Sequence, residues 1–331
     1  MQLSKLLQQL VTVQLNWVNN LNLLDFEYLE NNLDTQGLYG SDVCIANLFL
    51  LQEKYNTWLK IHKNILFRYY YGDENRCGYG FPVPLKNSLS TKSSANDIAW
   101  LKTALEYIFE DAKAQQRTLA FCLISREQKE LLDTCLSKYF KKQISWKTNR
   151  DDCDYLYLQK NLSELPGSLF QKKRNHVSRF NRLYGKDWEF KLFPQNDIAK
   201  DIFDIAQTWY HEKNGEQNHA LTLELQSVSL ALENAELLRF TGGVLYVKGK
   251  PAAMTLASPI SDSVLDVIYE KAVQEFEKDG VYAVINQQFS KLCPDYLYLN
   301  REEDMGVEGL RKAKLSYKPS IVLEKFYGLV E

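Results

Sequence analysis

From Trp188 onward the hydrophobic period of the chain changes in an order that few folds accommodate: a strand, two helices, three strands, a helix, a strand, a helix and a last strand. The strand signals are WEFKLF (188–193), the two arms of GGVLYVKGKPAAMTLASP joined at Lys248-Gly249-Lys250, VLDVIYEKA (264–272), 296–300 and the closing IVLEKFYGLV. Helical spacing covers 197–210, 221–238, 281–292 and 307–315. A doubly wound sheet needs strand and helix to alternate throughout, so this order predicts a mixed α/β (α+β) fold instead.

The first half carries a comparable series. An opening helix-like polar segment and an amphipathic helix over 38–61 precede the aromatic, Gly- or Pro-broken strands ILFRYYYG and YGFPVPL. Ser94, Asn96 or Asp97 can cap a helix running to about Lys113. LAFCLIS then reads as a strand, 127–139 as a helix and ISWKTNRDDCDYLYL as a hairpin turning at 149–152. The pentapeptide DYLYL occurs at Asp154 and again at Asp295, each time near the end of its series. Chance in a chain rich in Tyr and Leu explains the pentapeptide alone, but together with the shared order of elements it favours duplication. The expected division is 1–165, a basic linking helix over 166–187, and 188–331.

Composition adds exclusions. At 331 residues the chain is long enough for two cores, and its net charge of −2 supplies no whole-chain field for DNA or other polyanions, which leaves only local patches. Six scattered cysteines and dispersed His62, His211 and His219 have neither disulfide-framework nor metal-ligand spacing, so no metal is expected. No apolar run approaches a membrane span and no signal-peptide pattern is present, so the expectation is a cytoplasmic protein with no integral membrane segment.

The words CIANLF, YGFPV, KKRNHVSRF, AVINQQF and NREEDMGVEGLRKAKLSYKP resemble a bacterial family similar to the soluble C-terminal catalytic domain of phosphatidylglycerol lysyltransferase. That resemblance implies two GNAT-like halves, each a mostly antiparallel sheet flanked by helices. It further implies transfer of an acyl or aminoacyl group, with acyl-CoA or aminoacyl-tRNA as co-substrate rather than a tightly bound cofactor, to a small-molecule or lipid acceptor. No catalytic residues carry over with it. A Gly-rich pyrophosphate loop is missing: Gly280 stands alone behind acidic residues in EKAVQEFEKDG, which counts against acetyl-CoA.

The residues themselves suggest where chemistry would sit. Charges begin where the strand 296–300 should leave its sheet, a common ligand position in α/β sheets. Acyl transfer needs a base near the nucleophile and a donor near the developing oxyanion. Glu302, Glu270 or Asp304 are candidates for the first role, and Asn300, Arg301, Arg311, Lys312 and Lys314 for the second or for an anionic donor. Glu303 and Asp304 also suit the first turn of the following helix, and Glu308 with Lys312 forms an i, i+4 pair. Asn286 and Gln287 offer adjacent amides, and Tyr269, Tyr282 and Tyr317 can shape a pocket or simply pack. Lys172, Lys173, Arg174, His176, Arg179 and Arg182 concentrate on one helix, either as a solvated face or as a tRNA-binding surface. An RNA-binding module and a non-catalytic ligand sensor are the competing readings.

Overall fold

The computed structural model describes residues 23–72, 76–86 and 98–331. Strands β1 (Thr57–His62), β2 (Ile65–Tyr71), β3 (Cys77–Tyr79), β4 (Val83–Pro84), β5 (Ala120–Ile124) and β6 (Ile144–Thr148) come first. Then follow β7 (Asp154–Leu158), β8 (Trp188–Phe193), β9 (Thr241–Val247), β10 (Lys250–Ser261), β11 (Val264–Ala272), β12 (Tyr298–Asn300), β13 (Ile321–Leu323) and β14 (Phe326–Val330). They build two seven-stranded sheets. The first has the order β1-β2-β3-β5-β14-β6 with β4 on β2, and the second β13-β7-β12-β11-β10-β9-β8. Among the described residues only β3–β5 and β11–β12 are parallel pairs, so each sheet is mixed and mostly antiparallel, as the resemblance implied.

Turn chemistry sets the registers. Lys248 (φ 50°) and Gly249 (φ 74°) form the two-residue turn between β9 and β10 that the Lys-Gly-Lys word predicted. Lys63 (φ 49°) and Asn64 (φ 58°) do the same between β1 and β2. Paired positive φ matches the twist of the flanking strands. Helix Arg126–Phe140 starts at a capping box, with the Ser125 hydroxyl accepting from the Gln128 amide and the Gln128 side chain accepting from the Ser125 amide. Its Leu132 and Leu136 meet Leu101, Leu105 and Ile108 of helix Ala99–Ala114 over Phe67, Tyr69 and Tyr79 of the first sheet. In the second sheet Tyr155, Tyr157 and Leu265 pack with Phe289 and Tyr317, while Phe180 of the basic helix Gln171–Tyr184 packs with Leu245, Val281 and Ile285.

Several expectations are corrected. The chain forms two units: one of residues up to Asp34, Leu51–Asn149 and Lys325–Glu331, the other of Thr35–Leu50 and Arg150–Glu324. It therefore passes between them four times, rather than once through a linking helix at 166–187. The segment 144–158 is not a hairpin, because β6 pairs with β14 in the first sheet and β7 with β12 and β13 in the second. The closing IVLEKFYGLV is likewise two strands, β13 and β14, in different sheets. The two DYLYL copies do not occupy matching places in two sheets; their strands lie side by side, with Leu299 opposite Tyr157. The predicted helix over 38–61 ends in β1, after the short helices Ile45–Leu50 and Gln52–Tyr55. The opening polar segment before Leu23 and the caps Ser94, Asn96 and Asp97 lie outside the described residues.

Candidate active site

The site begins where two parallel strands part. β11 is nine residues long, yet only Val264, Leu265 and Asp266 pair with β12, which stops at Asn300. Beyond that point Arg301 reaches across to β11, where its Nη2 donates to Glu270 Oε1 at 2.6 Å. The other carboxylate oxygen, Oε2, accepts from Asn286 Nδ2 at 3.3 Å on helix Val281–Lys291. One carboxylate thus brackets a guanidinium and an amide. Arg301 Nη1 and Asn286 Oδ1 are buried with no partner among the described residues. Leaving such groups unpaired costs about 1–3 kcal/mol each, which a ligand's complementary groups would recover. Arg301 also lies over the rings of Tyr157 and Tyr317, at 5.8 and 5.0 Å from their centroids. Burial alone would lower the Arg301 pKa, but the Glu270 carboxylate beside it raises it. The guanidinium is therefore permanently charged.

The loop after Arg301 is held from behind. Glu302 adopts a left-handed φ of 53°, uncommon for a residue with a Cβ. Lys314 stabilises that bend: its buried ammonium donates to the carbonyls of Arg301 (2.5 Å), Glu302 (3.0 Å) and Glu303 (2.5 Å). Tyr157 in turn donates to the Lys314 carbonyl at 2.9 Å. Burial lowers the Lys314 pKa, and the nearby Glu302 opposes that shift. Glu302 faces Asn47, whose Nδ2 lies 2.9 Å from both Glu302 Oε1 and Asp266 Oδ2. Desolvation and then Glu303 push the Glu302 carboxyl up to about 8. Asn300 completes this polar layer, donating to Asp154 Oδ2 (3.1 Å) and the Tyr39 carbonyl (2.9 Å) and accepting from the Glu302 amide (2.8 Å).

Asp304 is fully buried and does not cap the helix Glu308–Leu315, whose N-cap is Val307. Its carboxylate accepts from Arg311 Nε (2.8 Å) and Nη2 (2.6 Å), the Tyr155 hydroxyl and the Gly306 amide (3.0 Å). Burial would raise its pKa, but these hydrogen bonds win and hold it down at about 2. Arg311 is also paired with Asp151 at 2.6 Å. Lys312 points to solvent and makes the expected pair with Glu308 at 2.6 Å. Neither joins the Arg301 cleft.

Of the remaining candidates, Gln287 donates to the Ser163 carbonyl at 3.1 Å, and Tyr269 shares a hydrogen bond with Ser227 at 2.6 Å. Tyr282 is half-buried beside Trp209. On the basic helix, Arg174 donates to the carbonyls of Leu165 and Gly167, and Arg179 lies 3.5 Å from Asp279. Lys172 and Arg182 are exposed and His176 is half-buried, whereas Lys173 turns inward, 3.6 Å from the Tyr317 ring centroid. Gly280, at φ 99°, lies against this helix: a Cβ there would sit 2.9 Å from the His176 carbonyl oxygen. The N-terminus of helix Val281–Lys291 is thus backed by protein at Gly280. Sequence reasoning overlooked Asn47, Asp154, Asp266 and Tyr157. The words CIANLF and DYLYL contain three of them, but a polar residue in an apolar word signals only when its partners are known. Among the described residues no cluster of three or more His, Cys, Asp or Glu is placed to hold a metal, and no helix is long and apolar enough to cross a membrane.

The sequence pattern of the family described as phosphatidylglycerol lysyltransferase, C-terminal, matches residues 36–328. The chain belongs to this family. A conserved protein of unknown function from Bacteroides thetaiotaomicron is similar, with 30% identity, a TM-score of 0.80 and coverage of 95% of this chain and 99% of that one. The structure of L-PGS from Bacillus licheniformis shares the fold at 12% identity and a TM-score of 0.57, covering 93% of this chain and 90% of that chain. An uncharacterised protein of Mycoplasmoides gallisepticum is 21% identical over 306 residues, 85% of this chain and 96% of that protein. This phosphatidylglycerol lysyltransferase C-terminal family member therefore has relatives along nearly its whole length.

Proposed function

We propose that this chain is an aminoacyltransferase that moves an aminoacyl group from a charged tRNA to an amine or hydroxyl acceptor at the cleft between β11 and β12. The observation that carries the reading is the unpaired donor and acceptor bracketed by Glu270: Arg301 Nη1 and Asn286 Oδ1. An aminoacyl group carries a carbonyl oxygen and an α-amino group three bonds apart, and so offers one acceptor and one donor to such a pair. Arg301 would then meet the charge that develops on the carbonyl oxygen as the acceptor attacks, a preorganised contact of the kind that lowers acyl-transfer barriers most. Tyr157 and Tyr317 exclude water around it. Membership of the lysyltransferase family supports the reaction class, and the protein backing at Gly280 speaks against a CoA pyrophosphate there. The acceptor is either a soluble amine or hydroxyl compound or a lipid headgroup.

The test is transfer of labelled amino acid from a panel of charged tRNAs, lysyl-tRNA first, to lipid vesicles containing phosphatidylglycerol and to soluble amines. Arg301→Lys keeps the charge but loses the planar fork, so transfer should fall by about 100-fold or more while tRNA binding holds. Equal activity in Arg301→Lys would remove this cleft from the mechanism.

A further inference from the structure

We propose that Lys173 is the proton acceptor of the transfer step: its unpaired amine, lying on the Tyr317 ring beside Arg301, removes the proton from the attacking group of the acceptor. This assignment rests on the aminoacyl-transfer reading above. The basic helix Gln171–Tyr184 looks from its sequence like a polyanion-binding face, yet its cations are put to different uses. Arg174 holds backbone carbonyls, Arg179 pairs with Asp279, and Lys172 and Arg182 face solvent. Lys173 alone among these five cations is turned against the cleft. Its Nζ stands 3.6 Å from the Tyr317 centroid, and the Arg301 guanidinium lies 5.0 Å from the same centroid.

A half-buried ammonium commonly finds a carboxylate, and among the described residues Lys173, which is half-buried, makes no ion pair. Glu270 is near, but its two oxygens are already engaged by Arg301 and Asn286. The charges that face Lys173 are Arg301 at the end of β12, Glu270 on β11, and Lys172 on its own helix, where His176 is also close. Burial first, then Arg301, disfavours the ammonium and brings Lys173 down to about 8. A neutral amine with a free lone pair is therefore accessible near neutral pH, which is what a general base requires.

The carboxyls proposed from the sequence are less well placed for this role. Glu302, raised to about 8, has its Oε1 accepting from Asn47 in the polar layer behind Arg301. Asp304 is held as a fully hydrogen-bonded anion by Arg311 and Tyr155.

The step balances as follows. The acceptor's N–H or O–H attacks the aminoacyl ester carbonyl, a C–N or C–O bond forms, and its proton passes to the neutral Lys173 amine. Arg301 Nη1 donates to the carbonyl oxygen. On collapse the bond to the ribose oxygen of the tRNA breaks, and that oxygen takes the proton back from the Lys173 ammonium. No oxidant or further reactant is needed.

Two measurements on the full chain test this. The first is trace acetylation with acetic anhydride across pH, read by tandem mass spectrometry. Lys173 should show a midpoint near pH 8, well below the ordinary lysine value of 10.5. A Lys173 midpoint at the ordinary lysine value overturns the proposal.

The second is transfer from lysyl-tRNA by Lys173→Gln and Lys173→Arg, with melting curves to check folding. Both should lose roughly 100-fold or more in kcat, with little change in KM for the tRNA, and the rise of wild-type rate through about pH 8 should vanish. If Lys173 merely contacts an anion, Lys173→Arg stays active and the assignment fails. A wild-type chain that transfers nothing from any charged tRNA sinks the transfer reading and the role of Lys173 with it. Wild-type transfer with an active Lys173→Arg sinks the role alone.

Discussion

Burying charge is costly, and this chain does it at Glu302, Asp304, Lys314 and Arg301 within one short stretch. The cost is offset differently at each. Asp304 receives bidentate Arg311 and stays ionised, Arg301 takes Glu270, and Lys314 is satisfied by carbonyl oxygens of the loop it holds. Glu302 is the exception, because burial beside Glu303 raises its pKa to about 8. Between the usual carboxyl range and about 8 the unfolded chain has released this proton while the folded chain retains it. Stability therefore declines as pH rises through that window. Glu302→Gln preserves an acceptor for Asn47 without a titrating group. Urea denaturation at pH 5 and pH 8 should show the variant gaining on wild type by about 1 kcal/mol or more at the higher pH. Parallel pH dependence of the two proteins would mean that Glu302 is ionised in the fold. These residues were visible in NREEDMGVEGLRKAKLSYKP as an unusual density of charge. Their sorting into Arg301 at the cleft, Lys314 and Asp304 behind it and Lys312 in solvent was not, because side-chain direction after β12 depends on the left-handed turn at Glu302.

Helices and strands were legible to the extent that their hydrophobic period was local. Helix Arg126–Phe140 and the β9–β10 turn carry their own start and turn chemistry. The basic helix Gln171–Tyr184 was legible as a helix, with Phe180 on its buried side, but not in the separate fates of its cations. That separation leads to a prediction. Lys172→Ala with Arg182→Ala removes exposed charge, so the protein should melt as wild type does, while the salt dependence of any tRNA binding should lose about one to two units of slope. Arg174→Ala removes hydrogen bonds to the carbonyls of Leu165 and Gly167 and should instead lower stability by about 1–3 kcal/mol, read from denaturant midpoints. A stability-neutral Arg174→Ala would show that those backbone contacts contribute little.

At the scale of the whole molecule, each sheet is completed by chain from far away in sequence. β14 inserts between β5 and β6, so the final residues from Phe326 to Val330 form an interior strand of the first sheet. Truncation after Glu324 would leave β5 and β6 with unpaired edges. The expected result is loss of a cooperative transition for that sheet and aggregation on heating, measured by calorimetry and light scattering; a truncated chain that melts like wild type would contradict the pairing. The same logic explains why ISWKTNRDDCDYLYL misread as a hairpin. Two strands joined by a turn are the simplest local solution, and only long-range pairing sends β6 to β14 and β7 to β12. By itself the sequence determined that the chain is mixed α/β and that charge gathers where β12 ends, because period and turn chemistry are local properties, while the two mostly antiparallel sheets were implied by the family resemblance. Tertiary structure alone decided which strands share a sheet, which cations face the cleft, and that Asn47, Tyr157 and Lys173 stand with Arg301 and Glu302. Those choices arise from pairing and burial between residues more than a hundred positions apart, which no local pattern encodes.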